Sequence, residues 1–160
     1  MKTAQLQIRV SPEQKRKLKQ LARAASMDVS TWVLRQILPE EADRFQQLTA
    51  NLASGTTKFG LAELADFLRT LPGGAFQRAV AHRPRARLDA DTLNYLAGAI
   101  ELAASHRGQA PPAWTSEVPV AETPSFGSTL SSVRLHLLTQ SPVALRRRNQ
   151  FMDASMDDRV

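Results

Sequence analysis

The sequence predicts a mainly α-helical protein that begins with one short β-strand and two amphipathic helices. Residues 4–10 alternate apolar and polar side chains, which is the period of a half-buried strand. From Ser11 onward, apolar residues recur at helical spacing in segments separated by proline and glycine. The first 38 residues hold eight Lys or Arg and two Asp or Glu, so they carry the whole formal net charge of +6. A basic terminal module joined to a neutral remainder indicates a polyanionic partner for that module, although a solvated basic helix face has the same composition.

The first element is a strand whose two faces differ. Leu6, Ile8 and Val10 point to one side, and Gln5, Gln7 and Arg9 point to the other. A single strand leaves half of its backbone donors and acceptors unpaired, so it needs a partner. The simplest partner is the same strand of a second copy, paired antiparallel across a two-fold axis, and the resulting ribbon has the size to enter the DNA major groove.

The second element is a helix with a strong start. Ser11 is suited to the N-cap, Pro12 to the first helical position and Gln14 to the third, which together form a capping box. The helix is expected to run to about Ser26. After the short connector Met27-Asp28-Val29, Ser30 is expected to cap a second helix that extends from Thr31 to about Leu38.

These three elements resemble the ribbon-helix-helix superfamily of Arc/MetJ-type DNA-binding proteins over roughly residues 3–38. The resemblance rests on Leu6 to Glu13, Leu21 to Ala25 and Met27 to Val33, and one departure is Ser26, where many members have glycine. It implies an obligate dimer in which Gln5, Gln7 and Arg9 contact bases. It also implies that Ser30 and the backbone N–H groups of Thr31 and Trp32 face a phosphate. Lys2 and Lys15 are further candidates for phosphate contacts.

The rest of the chain is expected to be helical as far as Gly108. Helices are predicted over about 40–53, 61–71, 75–82 and 90–106, the last capped by Asp89. Residues 82–87 form a basic loop that could contact phosphate, although a solvated surface loop is the better interpretation of this pattern. The chain thus divides into a DNA-binding and dimerisation domain (1–40), a helical region (41–108) and an extended and helical tail (109–160).

The tail has a resemblance of its own. Residues 110–128 are rich in proline and small polar side chains, a helix is predicted over 129–140, and Ser141-Pro142 begins a short helix into three arginines. Pro111 to Trp114, Arg134 to Leu138 and Leu145 to Ser155 are similar to the C-terminal region of bacterial type II antitoxins paired with nucleotidyltransferase-like toxins. The toxin-binding candidates are Trp114, Phe126, Arg146, Arg147, Arg148 and Phe151, because aromatic residues and arginine anchor protein interfaces. Packing of the three aromatic residues onto the helical core is an equally good interpretation.

Nothing in the sequence indicates an enzyme, a cofactor or a metal site. The three histidines, His82, His106 and His136, lack metal-ligand spacing, and no serine lies in a nucleophile elbow. The chain has no cysteine and no segment of membrane-spanning character, which is typical of a cytoplasmic protein without a membrane partner.

The sequence therefore predicts an antitoxin. It is expected to bind a palindromic operator in double-stranded DNA as a homodimer, to repress its own operon, and to neutralise a cognate toxin through its tail. The alternative is a stand-alone ribbon-helix-helix repressor or plasmid-maintenance protein. A protein-binding adaptor whose ribbon only dimerises is a third possibility.

Overall fold

The computed structural model describes residues 8–37, 40–55 and 57–153. The chain forms two compact units, an N-terminal unit of Met1–Glu40 and a C-terminal unit of Glu41–Val160. Its described part is mainly helical, as the sequence predicts. It also contains one small two-stranded sheet in the tail, which the sequence does not predict. Of the predicted strand, residues 8–10 have no regular secondary structure, and the remainder lies outside the described residues.

The first helix, α1 (Pro12–Ala24), begins as predicted. The Gln14 N–H donates to the Ser11 hydroxyl at 3.2 Å, and the Ser11 N–H donates to the Gln14 side-chain oxygen at 2.8 Å, which completes the capping box. At the other end, the Ser26 N–H donates to the Arg23 carbonyl and the Met27 N–H to the Ala22 carbonyl. This is a Schellman motif, and Ser26 occupies its left-handed position with φ +54°. A serine thus performs the role that glycine usually takes.

The second helix, α2 (Val29–Ile37), starts two residues earlier than expected. The Asp28 carboxylate accepts the Thr31 N–H at 3.0 Å, and the Asp28 carbonyl accepts the Trp32 N–H at 2.9 Å. The prediction that Ser30 caps this helix is therefore wrong, because Asp28 holds the capping position and Ser30 lies within the first turn.

The C-terminal unit is built around one long buried helix. α3 (Glu40–Ala53), α4 (Thr57–Thr70) and α5 (Gly73–Ala79) precede α6 (Ala90–His106), in which ten residues are buried. Asp89 caps α6 as predicted, accepting the Thr92 N–H at 2.8 Å. The core contains large apolar side chains from α3 to α6, among them Phe45, Leu64, Phe76, Leu96 and Ile100. Because these side chains are fully enclosed within one chain, this unit has a complete core of its own.

The tail packs back on α6 through short elements. These are α7 (Ala113–Ser116), β1 (Ser125–Phe126), a 3₁₀ turn at Ser131–Val133, α8 (Arg134–Gln140), α9 (Val143–Arg146) and β2 (Gln150–Phe151). β1 and β2 pair in parallel, Ser125 with Gln150 and Phe126 with Phe151. Leu145 of α9 lies so close to Gly98 that a Cβ there would come within 2.7 Å of the leucine side chain. The absence of a side chain at Gly98 therefore permits the close approach of α9 to α6.

Candidate DNA-binding and partner-binding surfaces

An open groove in the N-terminal unit has apolar walls with basic residues beside them. Its volume is about 1040 Å³. It is lined by Ile8, Arg9, Val10, Lys15, Leu18, Lys19, Val29, Ser30, Val33 and Leu34. Three of the apolar residues remain well exposed: Ile8 by 56%, Val10 by 40% and Leu34 by 49%. Among the residues of this unit whose side chains the structure describes, only Ala22 is fully buried. The unit therefore carries apolar surface that its own chain does not cover.

The predicted base-contacting residues are only partly described. Arg9 is exposed at the edge of this groove, whereas Gln5 and Gln7 lie outside the described residues, as does Lys2. Lys15 is exposed in the first turns of α1 and lines the same groove as Arg9. The structure therefore brings one predicted base contact and one predicted phosphate contact to the same surface.

The start of α2 differs from the predicted phosphate site. The N–H groups of Thr31 and Trp32 are occupied by Asp28, so they are not free to bind an anion. Hydrogen bonds from Thr31, first from its side chain and then from its backbone, lower the pKa of Asp28 below its ordinary value, so this carboxylate is charged at neutral pH. A phosphate at this helix start would have to approach a carboxylate. Ser30 is exposed in the same first turn, so a phosphate at its hydroxyl would also lie close to this carboxylate.

Trp114 belongs to the core of the C-terminal unit. It is 6% exposed, and its indole N–H donates to the Val80 carbonyl at 2.9 Å. A buried indole needs such a partner, and the hydrogen bond ties α7 to the end of α5. This finding corrects the expectation that Trp114 contacts a toxin and favours the alternative, packing onto the helical core.

Arg148 is also buried, at 6% exposure, and it is paired internally. Its Nε donates to Oε2 of Glu101 at 3.1 Å, and its Nη2 donates to Oε1 of the same carboxylate at 2.5 Å. Nη2 also donates to the Thr115 carbonyl at 2.6 Å, and Nη1 to Asn94 Oδ1 at 3.5 Å. The guanidinium thus joins the end of α9 to α6 and α7, so Arg148 is a structural residue and not an interface anchor.

The other tail candidates lie at the surface. Phe126 and Phe151 are half-buried and stack with their ring centroids 5.1 Å apart, and the Arg134 guanidinium lies 5.2 Å from the Phe126 centroid. Arg146 and Arg147 are exposed. Sequence reasoning missed the exposure of three leucines in the same part of the tail, Leu130, Leu135 and Leu138, which are exposed by 63%, 73% and 42%. Leu135 and Leu138 are three residues apart on α8, so they lie on the same side of that helix.

The chain matches no family model, no curated protein and no solved structure.

Two further observations concern chemistry and membranes. Within residues 8–37, 40–55 and 57–153, no group of three or more His, Cys, Asp or Glu side chains is arranged to hold a metal ion. Over the same ranges, every helix is too short or too polar to cross a lipid bilayer.

Proposed function

We propose that this protein is an antitoxin that represses its own operon as a dimer and neutralises a cognate toxin. The observation that carries the proposal is that uncovered apolar residues and exposed basic residues lie together on the small N-terminal unit. The tail's resemblance to antitoxins and its exposed leucines support the second activity.

Dimerisation explains the apolar surface of the N-terminal unit. Ile8, Val10 and Leu34 are about half exposed, so covering them would contribute about half of the ~1.5–3 kcal/mol that full burial of such a side chain gives. A second copy provides the same surface in a two-fold arrangement and an antiparallel partner for the strand predicted at residues 4–10. The same pairing covers the apolar side of the strand and leaves Arg9 on the opposite, solvent side.

DNA binding explains the charge of the same unit. Lys15, Arg16, Lys17, Lys19 and Arg23 are exposed on α1, and Glu13 is the one acidic residue of that helix. Cationic side chains around a protruding ribbon bind phosphates, and the ribbon supplies side chains that reach base edges. In this arrangement Arg9 pairs with guanine and Lys15 contacts the backbone.

The toxin-binding surface, in this proposal, is the exposed part of the tail. It comprises Leu130, Leu135 and Leu138 together with Phe126, Phe151, Arg146 and Arg147. A partner that covers these leucines would gain apolar burial, and the two arginines would add contacts at the edge of the interface.

DNA binding is tested by footprinting the full chain on the DNA upstream of its own gene. We expect a protected palindrome and binding that weakens steeply with salt. Arg9→Ala should lose about 1–3 kcal/mol of discrimination at one base pair of each half-site, whereas Lys15→Ala should weaken operator and unrelated DNA equally. Equal losses for Arg9→Ala on every sequence would reject base recognition by Arg9.

Toxin neutralisation is tested by growth. We would express the product of the gene adjacent to this one, alone and together with this protein. The proposal expects growth arrest from the first and rescue in the second. Leu135→Asp should abolish rescue while DNA binding is retained, and Ser132→Asp, an equally charged change at another exposed position, should rescue normally. If the neighbouring gene product does not arrest growth and this protein still binds its operator, the stand-alone repressor is the better interpretation.

A further inference from the structure

A short irregular segment of the C-terminal unit, between α5 and α6, displays three arginines at alternate positions. In residues 83–88 exposure alternates: Arg83, Arg85 and Arg87 are exposed, and Pro84, Ala86 and Leu88 are half-buried. Leu88 packs against the core, so the segment has an inner apolar side and an outer charged side. We call Arg83, Arg85 and Arg87 the arginine ridge.

The backbone of the ridge is fixed by one side chain of α3. The Gln46 amide donates from Nε2 to the Arg83 carbonyl at 3.3 Å, and its Oε1 accepts the Arg85 N–H at 2.8 Å. The amide thereby occupies both backbone groups between two of the arginines, as a neighbouring β-strand would. Gln46 itself lies between the core residues Phe45 and Leu48 in sequence, so α3 anchors the clamp.

The charge of the ridge is not neutralised within the unit. Among the described residues, none of the three guanidinium groups forms an ion pair. The closest carboxylate in sequence, Asp89, caps α6 and accepts the Thr92 N–H and hydroxyl, both at 2.8 Å. Three like charges on a fixed backbone repel one another, and binding an anion relieves that repulsion.

Three exposed guanidinium groups at alternate positions of one short segment favour a polymer of phosphates over a single anion, because a polymer offers a phosphate to each of them. Guanidinium groups bind phosphate oxygens in a bidentate manner. We propose that the arginine ridge is a second nucleic-acid contact, which binds the phosphate backbone of one strand. Binding by the ridge does not depend on DNA binding by the N-terminal unit.

The test measures the salt dependence of binding by the full chain. The probes are a mixed-sequence DNA duplex and an RNA duplex of the same sequence and length. Replacing all three ridge arginines by alanine should reduce the slope of log K against log salt by about 0.9 per arginine on DNA, or about 2.7 per chain. Replacing them by lysine should preserve the slope, because the charge is kept. The control is Arg44→Ala, Arg69→Ala and Arg78→Ala together, which removes equal charge from exposed positions of the same unit that belong to neither proposed surface.

A second pair of variants tests the clamp. Gln46→Ala should weaken binding several-fold at every salt concentration without changing the slope, because the charges remain but the loop must be ordered on binding. Gln47→Ala, the exposed neighbour, should bind as the wild type does. A larger ridge-dependent loss on DNA would indicate DNA as the source of the phosphates, and a larger loss on RNA would indicate RNA.

Two outcomes would overturn the proposal. Equal reductions of the salt slope in the ridge and control triple variants would show an effect of net charge alone. An unchanged slope in the ridge triple variant would show that the ridge does not contact phosphates. The latter would leave an acidic protein surface as the better partner. Lys15→Ala, measured on the same DNA, reports the N-terminal unit separately, so failure of either surface is distinguishable.

Discussion

The two units of this protein differ in how completely each covers its own apolar side chains. The C-terminal unit encloses Phe45, Phe76 and Leu96 completely and pairs the charge it buries at Arg148. In the described part of the N-terminal unit, Ala22 is buried while Ile8, Leu21 and Leu34 remain exposed by 56%, 42% and 49%. Apolar surface left uncovered on a small fold indicates a partner. In the proposed dimer, the stability of the first unit depends on association, whereas the second unit encloses its own core.

Polar side chains follow the same division. In the N-terminal unit the observed side-chain hydrogen bonds are helix caps made within three residues, such as Ser11 with Gln14. In the C-terminal unit such local bonds occur together with many that connect residues far apart in sequence, such as Arg148 with Glu101, 47 positions away. Local caps define helices, whereas long-range bonds fix how helices pack.

The largest expected effect is the loss of the buried ion pair. Arg148→Ala should lower the free energy of unfolding of the C-terminal unit by about 3–5 kcal/mol, because Glu101 keeps its charge without a partner. Arg147→Ala is the matched control, since this exposed neighbour should change stability by less than about 0.5 kcal/mol. Urea unfolding followed by fluorescence in a Trp32→Phe background reports this unit through Trp114. Equal effects of the two substitutions would contradict the structural role of Arg148.

The next effect tests association of the N-terminal unit. Leu34→Glu places a charge on the uncovered apolar surface and should weaken dimerisation by about 2–3 kcal/mol over the two copies. Gln36→Glu adds the same charge at another exposed position of α2 and should leave the dimer intact. Analytical ultracentrifugation measures the dissociation constant.

Concentration dependence separates the two units further. The melting temperature of the N-terminal unit should rise with protein concentration, and that of the C-terminal unit should not. A melting temperature that is independent of protein concentration in both units would contradict association of the N-terminal unit.

The sequence predicts the features that depend on interactions between residues close together in the chain. The starts of α1 and α6 were predicted correctly because their caps, Ser11 and Asp89, act on backbone groups three residues away. The start of α2 was missed because Asp28 and Ser30 are both good capping residues, and periodicity cannot separate positions two residues apart.

The candidate site was less predictable because burial depends on distant partners. The buried Trp114 donates a hydrogen bond to Val80, 34 positions away in sequence. The buried Arg148 pairs with Glu101, 47 positions away. No local pattern distinguishes these two residues from the exposed Arg147 or the half-buried Phe126. The exposed Leu135 was missed for the opposite reason, because an apolar residue in a short helix is ordinarily expected to face the core.

A smaller effect concerns the cap of α6. Asp89→Ala should cost the C-terminal unit about 1 kcal/mol. Hydrogen bonding from the Thr92 N–H lowers the pKa of Asp89 below its ordinary value of 3.8. The cap's stabilisation is therefore complete well above that value and is lost as the pH falls through the lowered folded pKa.

Two further substitutions isolate this cap. Asp89→Asn should retain most of the stability at neutral pH and flatten its acid dependence, while Glu117→Ala, at an exposed acidic position, should alter neither. Urea midpoints measured between about pH 5 and pH 2 give the comparison. An unchanged acid dependence of the midpoint in Asp89→Asn would contradict a charged cap.

The same measurement applies to the N-terminal unit. Asp28→Asn should also flatten the acid dependence of its stability, since hydrogen bonds from Thr31 lower the pKa of Asp28.

The smallest effect is a gain in stability at the end of α1. Ser26 holds a left-handed conformation, φ +54°, which costs a residue with a side chain more than it costs glycine. Ser26→Gly should therefore stabilise the N-terminal unit by about 0.5–1 kcal/mol, despite the greater entropy of glycine in the unfolded chain. Ser54→Gly, at the end of α3, is the control with the opposite sign. Ser54 is not among the positive-φ residues, and its hydroxyl donates to the Asn51 carbonyl at 2.8 Å, so glycine brings only the entropic loss and the loss of this bond. If both substitutions destabilise in thermal melts, the Schellman geometry at Ser26 does not limit the stability of this unit.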